Sequence, residues 1–285
     1  GSTLLGAPPE TKTFQSFYRL KDGNVRYAEG WPAVTEAEAF VTTADSLIDV
    51  EVSAGRSLGL VLDGASGSVR PERDAAGNIK NRLLVSGIAA GETQDALAFL
   101  GASPLPSGLT ETVSSWEANG DMDVAIDVEL LLGSGEAVDV RTDLRVENNI
   151  LDFTEYGLQV GALGGRVVFD TRSGLSSEGL EGSLFDKPVA LTLGSRIDSE
   201  GVLDRVSVSA KGTATPQDII QLALTGVTVD AMLEQAEGLF DFDAALTIAQ
   251  NTDAEYPTQL TVISQLEGMT LDAPAPFAKT AEERR

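Results

Sequence analysis

The 285 residues carry 44 acidic against 20 basic side chains, a formal charge of −24, with no Cys and no His. That charge argues against nucleic acid and against direct docking on an anionic bilayer surface. The missing Cys and His exclude disulfides, thiol nucleophiles, Ser-His-Asp catalysis and nearly every transition-metal site, so no metal and no cofactor are expected.

Gly is abundant and aromatics are few, a globular composition long enough for one extended all-β domain or two ordinary ones. No run of 18 apolar residues exists, so no helix is expected to span a membrane. Gly1-Ser2 reads as the remnant of a cleaved tag, so a signal or anchor is expected to be missing from the start.

In chain order, Phe14–Leu20 and Val25–Glu29 read as a hairpin around Lys21-Asp22-Gly23-Asn24, broken by Gly30-Trp31-Pro32. Alternation restarts at Ile48, Val50 and Val52 and continues through Leu58, Leu60 and Leu62. A strand around Leu83 and Val85 follows, and then a short helix from 93 to 100.

The strongest signal is Asp121 to Val146, two long strands joined at Gly133-Ser134-Gly135. Met122, Val124, Ile126, Val128 and Leu130 alternate with acidic residues and Ala125; Val138, Val140, Thr142, Leu144 and Val146 alternate with Asp139, Arg141, Asp143 and Arg145. Period-two alternation of this length means an antiparallel sheet with one apolar and one charged face. Another sheet, helices, a partner chain or a hydrocarbon ligand could each cover the apolar face.

Asn148-Asn149 reads as a turn before a strand around Leu151 and Phe153, one ending at Val160 and one through Val167 to Phe169. Leu180–Phe185 and Val189–Leu193 form a hairpin over Asp186-Lys187-Pro188, and Val206, Val208 and Ala210 alternate next. Helices are expected at 216–224, opened by Thr215-Pro216, and at 231–236. Phe240, Phe242, Leu246 and Ile248 then share one face, followed by Leu260, Val262, Leu266, Met269 and Leu271.

Gly120-Asp121-Met122-Asp123-Val124 matches Gly238-Leu239-Phe240-Asp241-Phe242, and Leu151-Asp152 matches Leu271-Asp272. This weak repeat divides the chain into a tag remnant and linker at 1–13, units at 14–119 and 120–237, the start of a third at 238–273 and a Pro-rich exit at 274–285.

Asp121, Asp123 and Asp127 share a strand face, but the spacing of a calcium loop is missing and a solvated face explains them. Trp31, Trp116, Tyr18, Tyr27 and Tyr156 are scattered, which favours core or rim packing over a stacking site. No nucleophile-base pair is present, so the chain is not expected to be an enzyme.

The stretch from Thr261 to Lys279 resembles the recurring motif of the YhdP-like proteins, of the AsmA-like group of the bacterial envelope. Ser264, Leu266, Gly268, Leu271, Pro274, Pro276 and Lys279 carry it, with Gln265 where the motif has an acid and Ala273 where it has Leu. Gly30-Trp31-Pro32, Gly87–Gly91 and Gly164-Gly165 fit the same family.

The resemblance implies an all-β protein with a few short helices, its long, curved antiparallel sheet forming an open apolar groove; a closed β-sandwich is the alternative. It further implies a periplasmic location, an inner-membrane anchor outside this chain, and phospholipid carriage toward the outer membrane. On that reading Met122, Val124, Ile126, Val128, Leu130, Val138, Val140, Leu144 and Val146 face acyl chains. Phe240, Phe242, Leu246, Ile248, Leu260 and Val262 do the same further on. The partners are then phospholipid acyl chains and both membranes, with edge-to-edge self-association at open sheet edges; the alternative function is a structural or adhesive module without lipid.

Overall fold

The computed structural model describes residues 14–27, 29–73, 77–103, 116–132, 139–153, 158–197, 203–221, 231–249, 258–273 and 278–284. Among them one 14-stranded antiparallel sheet dominates. Its strands are β1 (Gln15–Val25), β2 (Val34–Ala44), β3 (Leu47–Ser57), β4 (Leu60–Arg73), β5 (Ile79–Glu92), β6 (Glu117–Asn119), β7 (Asp121–Leu132), β8 (Asp139–Phe153) and β9 (Leu158–Asp170). After these come β10 (Gly174–Leu184), β11 (Lys187–Ile197), β12 (Leu203–Ala214), β14 (Phe240–Ala249) and β15 (Thr258–Ile263). Helix α1 (Thr93–Gly101) lies between β5 and β6, and α2 (Pro216–Ile220) follows β12; β13 (Ala236–Gly238) pairs with β16 (Met269–Leu271) in a separate ribbon.

Long strands neighbour each other in chain order, and β6 lies off this path against the end of β8. The edges β1 and β15 do not pair with one another, so the sheet is open and the closed sandwich is not the arrangement adopted. It is nevertheless strongly curved. Leu97 of α1, which leaves the sheet at β5, packs on Val206 of β12, with Leu175 and Leu193 around them. A helix tethered there reaches β12 only if the sheet curls around it.

The packed core gathers at one end of the strands: Leu60, Met122, Val146, Leu184, Phe240 and Met269 share one cluster, although their strands lie far apart in sheet order. Burial of these side chains from β4 to β16 stabilises the curl, each large one contributing about 1.5–3 kcal/mol.

Several expected turns are bulges. β1 runs unbroken through Lys21–Asn24, where Asp22 takes φ 51° and the register to β2 shifts. Asn148-Asn149 lies within β8: Asn148 has φ 54°, the register to β9 shifts, and the extra residue turns Asn149 inward. The two strands expected at Val160 and Val167 are one strand, β9.

Leu58-Gly59, expected as strand, is a tight turn with φ 47° and 93°. The turn expected over Asp186-Lys187-Pro188 sits on Phe185-Asp186. β2 shows no strong alternation in sequence, yet pairs along its length with β1 and β3. Helix α2 is described to Ile220, with 222–224 outside the described residues. At 231–236 the helix covers only 231–233, and Ala236 already belongs to β13. The Gly133–Gly135 connection and Tyr156 lie outside the described residues.

Candidate functional site: the apolar face of the sheet

Register decides which side chains share a face. Met122 lies opposite Val146, Val124 opposite Leu144, Ile126 opposite Thr142 and Val128 opposite Val140. From Leu144 the row continues through Val167 to Ser177. Leu193, whose N–H donates to Ser177 Oγ at 2.8 Å, lies opposite Val208, and Val208 faces Leu246, which faces Leu260. Ile248 lies opposite Val206, and Ala244 opposite Val262. The candidate residues of both halves thus lie on one continuous face; Val138 is outside the described residues.

They do not share one environment. Met122, Val146, Phe240 and Phe242 are buried in the packed end, where α2 contributes Ile219 and the small ribbon Ala236 and Met269. Val140 is also buried, its N–H and C=O both engaged by Thr171. Val124, Ile126, Val128, Leu130, Leu144, Leu246 and Ile248 are half-buried, while Leu260 and Val262 are 40% and 50% exposed. From Val124 to Leu130 the half-buried strip runs about 20 Å along the strand.

On the β4–β5 side this face has a low floor. Ala65 pairs with Gly87, and Gly67 with Val85. Val52 and Val50 of β3 stand beside them on one side, Ile126 and Val128 of β7 on the other. Gly67, Ala65 and Gly87 thus leave a low strip between the branched side chains of β3 and those of β5 and β7.

The opposite face is charged. Arg166 bonds Asp143 at 2.7 Å and Glu178 at 2.9 Å, Lys211 meets Asp243 at 2.8 Å, and Arg172 pairs with Asp139. The Arg172 and Arg166 guanidiniums hold the Asp139 and Asp143 carboxyls below the usual carboxylate range. A shallow depression of about 690 Å³ is lined by charged residues and by Ser66, Ser68 and Ser86, with Val50, Gly67, Leu84, Val85, Val128 and Val140 also in its lining.

Polar latches hold the packed end. Asn149, 1% exposed, donates to Asp121 O at 2.8 Å and Glu147 O at 3.2 Å, and accepts the hydroxyl of Thr93 at the start of α1. At α2, Thr215 and Asp218 form a capping box, and Lys187 reaches Asp218 at 2.8 Å. Burial pushes the Asp218 carboxyl up, but the bonds from Lys187 and Thr215 outweigh it and hold the group below the usual range. The role of Asn149 leaves no mark in the local sequence, because it depends on strands distant in the chain.

The motif residues build a clasp beside these latches rather than part of the open strip. Ser264 Oγ donates to Asp241 O at 2.7 Å and accepts the Leu266 N–H at 2.9 Å. Gly268 takes φ 90°, and a Cβ there would lie 2.2 Å from Leu239 O, so only glycine fits. Leu271 pairs with Lys279, whose ammonium is buried and donates to Met269 O at 2.8 Å and Thr280 O at 2.9 Å. Pro274 and Pro276 lie outside the described residues.

A matching arrangement occurs earlier in the chain. β6 pairs Ala118 with Leu151 just as β13 pairs Ala236 with Leu271. Gly120 and Gly238, with φ 121° and 112°, follow in the same place.

Among the described residues no helix is long and apolar enough to cross a membrane. Neither the curated proteins nor the solved structures contain a match to this chain. The family described as YhdP protein matches residues 6–285. With the motif clasp in place at the end of an open, curved sheet, and with that match running over almost the whole length, the chain belongs to the YhdP family.

Proposed function

We propose that this chain is a segment of a non-enzymatic lipid conduit of the bacterial envelope, its apolar face holding phospholipid acyl chains while headgroups stay wet at the rim. The observation that carries this reading is the half-buried apolar strip from Val124 to Leu130, resumed at Leu246 and Ile248 beyond the place where α1 packs on Val206 and Leu193, and backed by a charged face. Monomers rarely leave contiguous apolar patches beyond about 300–600 Å². At about 0.8 kcal/mol per buried methylene, a chain of about 16 carbons gains roughly 12 kcal/mol relative to water. Leaving a bilayer costs a similar amount, so transfer is nearly balanced and needs no covalent step.

The periplasmic setting, the inner-membrane anchor outside this chain and the delivery of lipid to the outer membrane are part of the same proposal, supported by family membership. So is the division into β-groove repeats, which the paired β6–β8 and β13–β16 arrangements favour. β1 and β15, the outermost strands among the described residues, are where further strands, or a second copy, would add.

A photo-crosslinking amino acid placed at Val128 or at its neighbour Asp127 tests the reading. Crosslinks to lipid are expected from position 128 and not from 127. Equal labelling at both, or none at 128 in a folded protein exposed to lipid, would refute it.

A further inference from the structure

Arg73 is an exception to the charge pattern. Arg70, Arg82, Arg141, Arg166, Arg172 and Arg196 each pair with a carboxylate on the charged face. Arg73 lies on the apolar face: it follows Val69 and Pro71 at every second position and sits opposite Ile79, while Pro71 sits opposite Asn81 and Asn81 opposite Leu132. Its guanidinium donates to Gly77 O at 3.1 Å and has no carboxylate partner among the described residues.

Diagonally across the ladder Asn81 offers an amide on the same face, about 7 Å away. Both are exposed, at the end of the strands away from the packed core. Below them on the same face lie Val69 and Leu83, then Gly67 and Val85, then Ala65 and Gly87, the floor of the channel.

From this placement we infer that Arg73, with Asn81, is the headgroup-positioning pair of the channel, receiving the phosphate oxygens of a lipid whose tail lies along β4 and β5. This rests on the acyl-chain reading above and names the chemistry of its polar end. A guanidinium offers forked donors that match phosphate oxygens, and the neighbouring amide adds a donor without charge. Water around the exposed pair limits the gain, so the selectivity is about tenfold and falls with salt.

The test compares phosphatidic acid with diacylglycerol, both carrying the same fluorescent acyl chain, for binding to the full chain in one detergent. The expected result is about tenfold tighter binding of phosphatidic acid, a preference that shrinks as salt rises. Arg73→Gln abolishes the preference with diacylglycerol binding unchanged, and Arg73→Lys retains part of it. Thermal melting of each variant should match that of the parent, because the side chain is exposed. A preference that survives in Arg73→Gln overturns the assignment. Equal binding of both lipids by the parent overturns it too, leaving acyl carriage standing, whereas binding of neither overturns the carriage reading along with it.

Discussion

Replacing Gly67 by Leu fills the channel floor without attacking the fold. A Cβ at this position would meet Val50 Cβ at 3.8 Å and Leu84 O at 3.9 Å, ordinary contact distances, and the backbone there is not in the left-handed region. A branched side chain in place of glycine in a strand is neutral or stabilising by up to about 1 kcal/mol. For an acyl chain lying between Val50 and Val128, the new side chain removes the place of about four methylenes. At about 0.8 kcal/mol each the loss is about 3 kcal/mol, roughly a hundredfold weaker retention. Equilibrium binding of a fluorescent fatty-acyl probe, beside a urea titration of the same preparations, reads both quantities. Unchanged probe affinity in a fully folded Gly67→Leu protein would refute the idea that a tail lies over β4 and β5.

Three further outcomes follow from the same geometry. Ile126→Asp should abolish co-purification of lipid, whereas Ala125→Asp, one residue along on the charged face opposite Asp143, should retain it at a cost below about 1 kcal/mol of stability. Asn149→Ala should destabilise by about 3 kcal/mol, read by urea unfolding, because it strips a buried junction of α1, β7 and β8. The Asp218 carboxyl is depressed in the folded state, so its stabilising contribution is full above the unfolded pKa of about 4 and is lost as pH falls through the folded value. Urea midpoints between pH 7 and pH 3 should therefore fall more in the parent than in Asp218→Asn; parallel curves would contradict the latch.

β7 and β8 were legible because each lies between two partners with one apolar and one solvated face, so period two shows directly in their residues. β1 was misread at Asp22-Gly23 and β8 at Asn148-Asn149 because bulges and turns draw on the same residues that tolerate positive φ. What separates them is whether the partner strand continues on both sides, which is not a local property. β2 escaped because its inward residues Ala37 and Ala39 are buried yet small, leaving little hydrophobic contrast.

At the site, alternation runs without interruption from Met122 in the packed end to Leu130 in the half-buried strip, so periodicity could not mark where core ends and channel begins. Lys279 was legible as a motif residue, but its burial against the carbonyls of Met269 and Thr280 depends on the fold-back of the chain. Arg73 carried no signal until pairing with Ile79 placed it on the apolar face.

The most direct test of the account is native mass spectrometry of the chain purified from a bacterial host, followed by solvent extraction and lipid analysis of the same sample. Bound diacyl phospholipid is expected in the parent and is expected to be absent from folded Ile126→Asp. A lipid-free parent, or equal lipid on parent and variant, would contradict it.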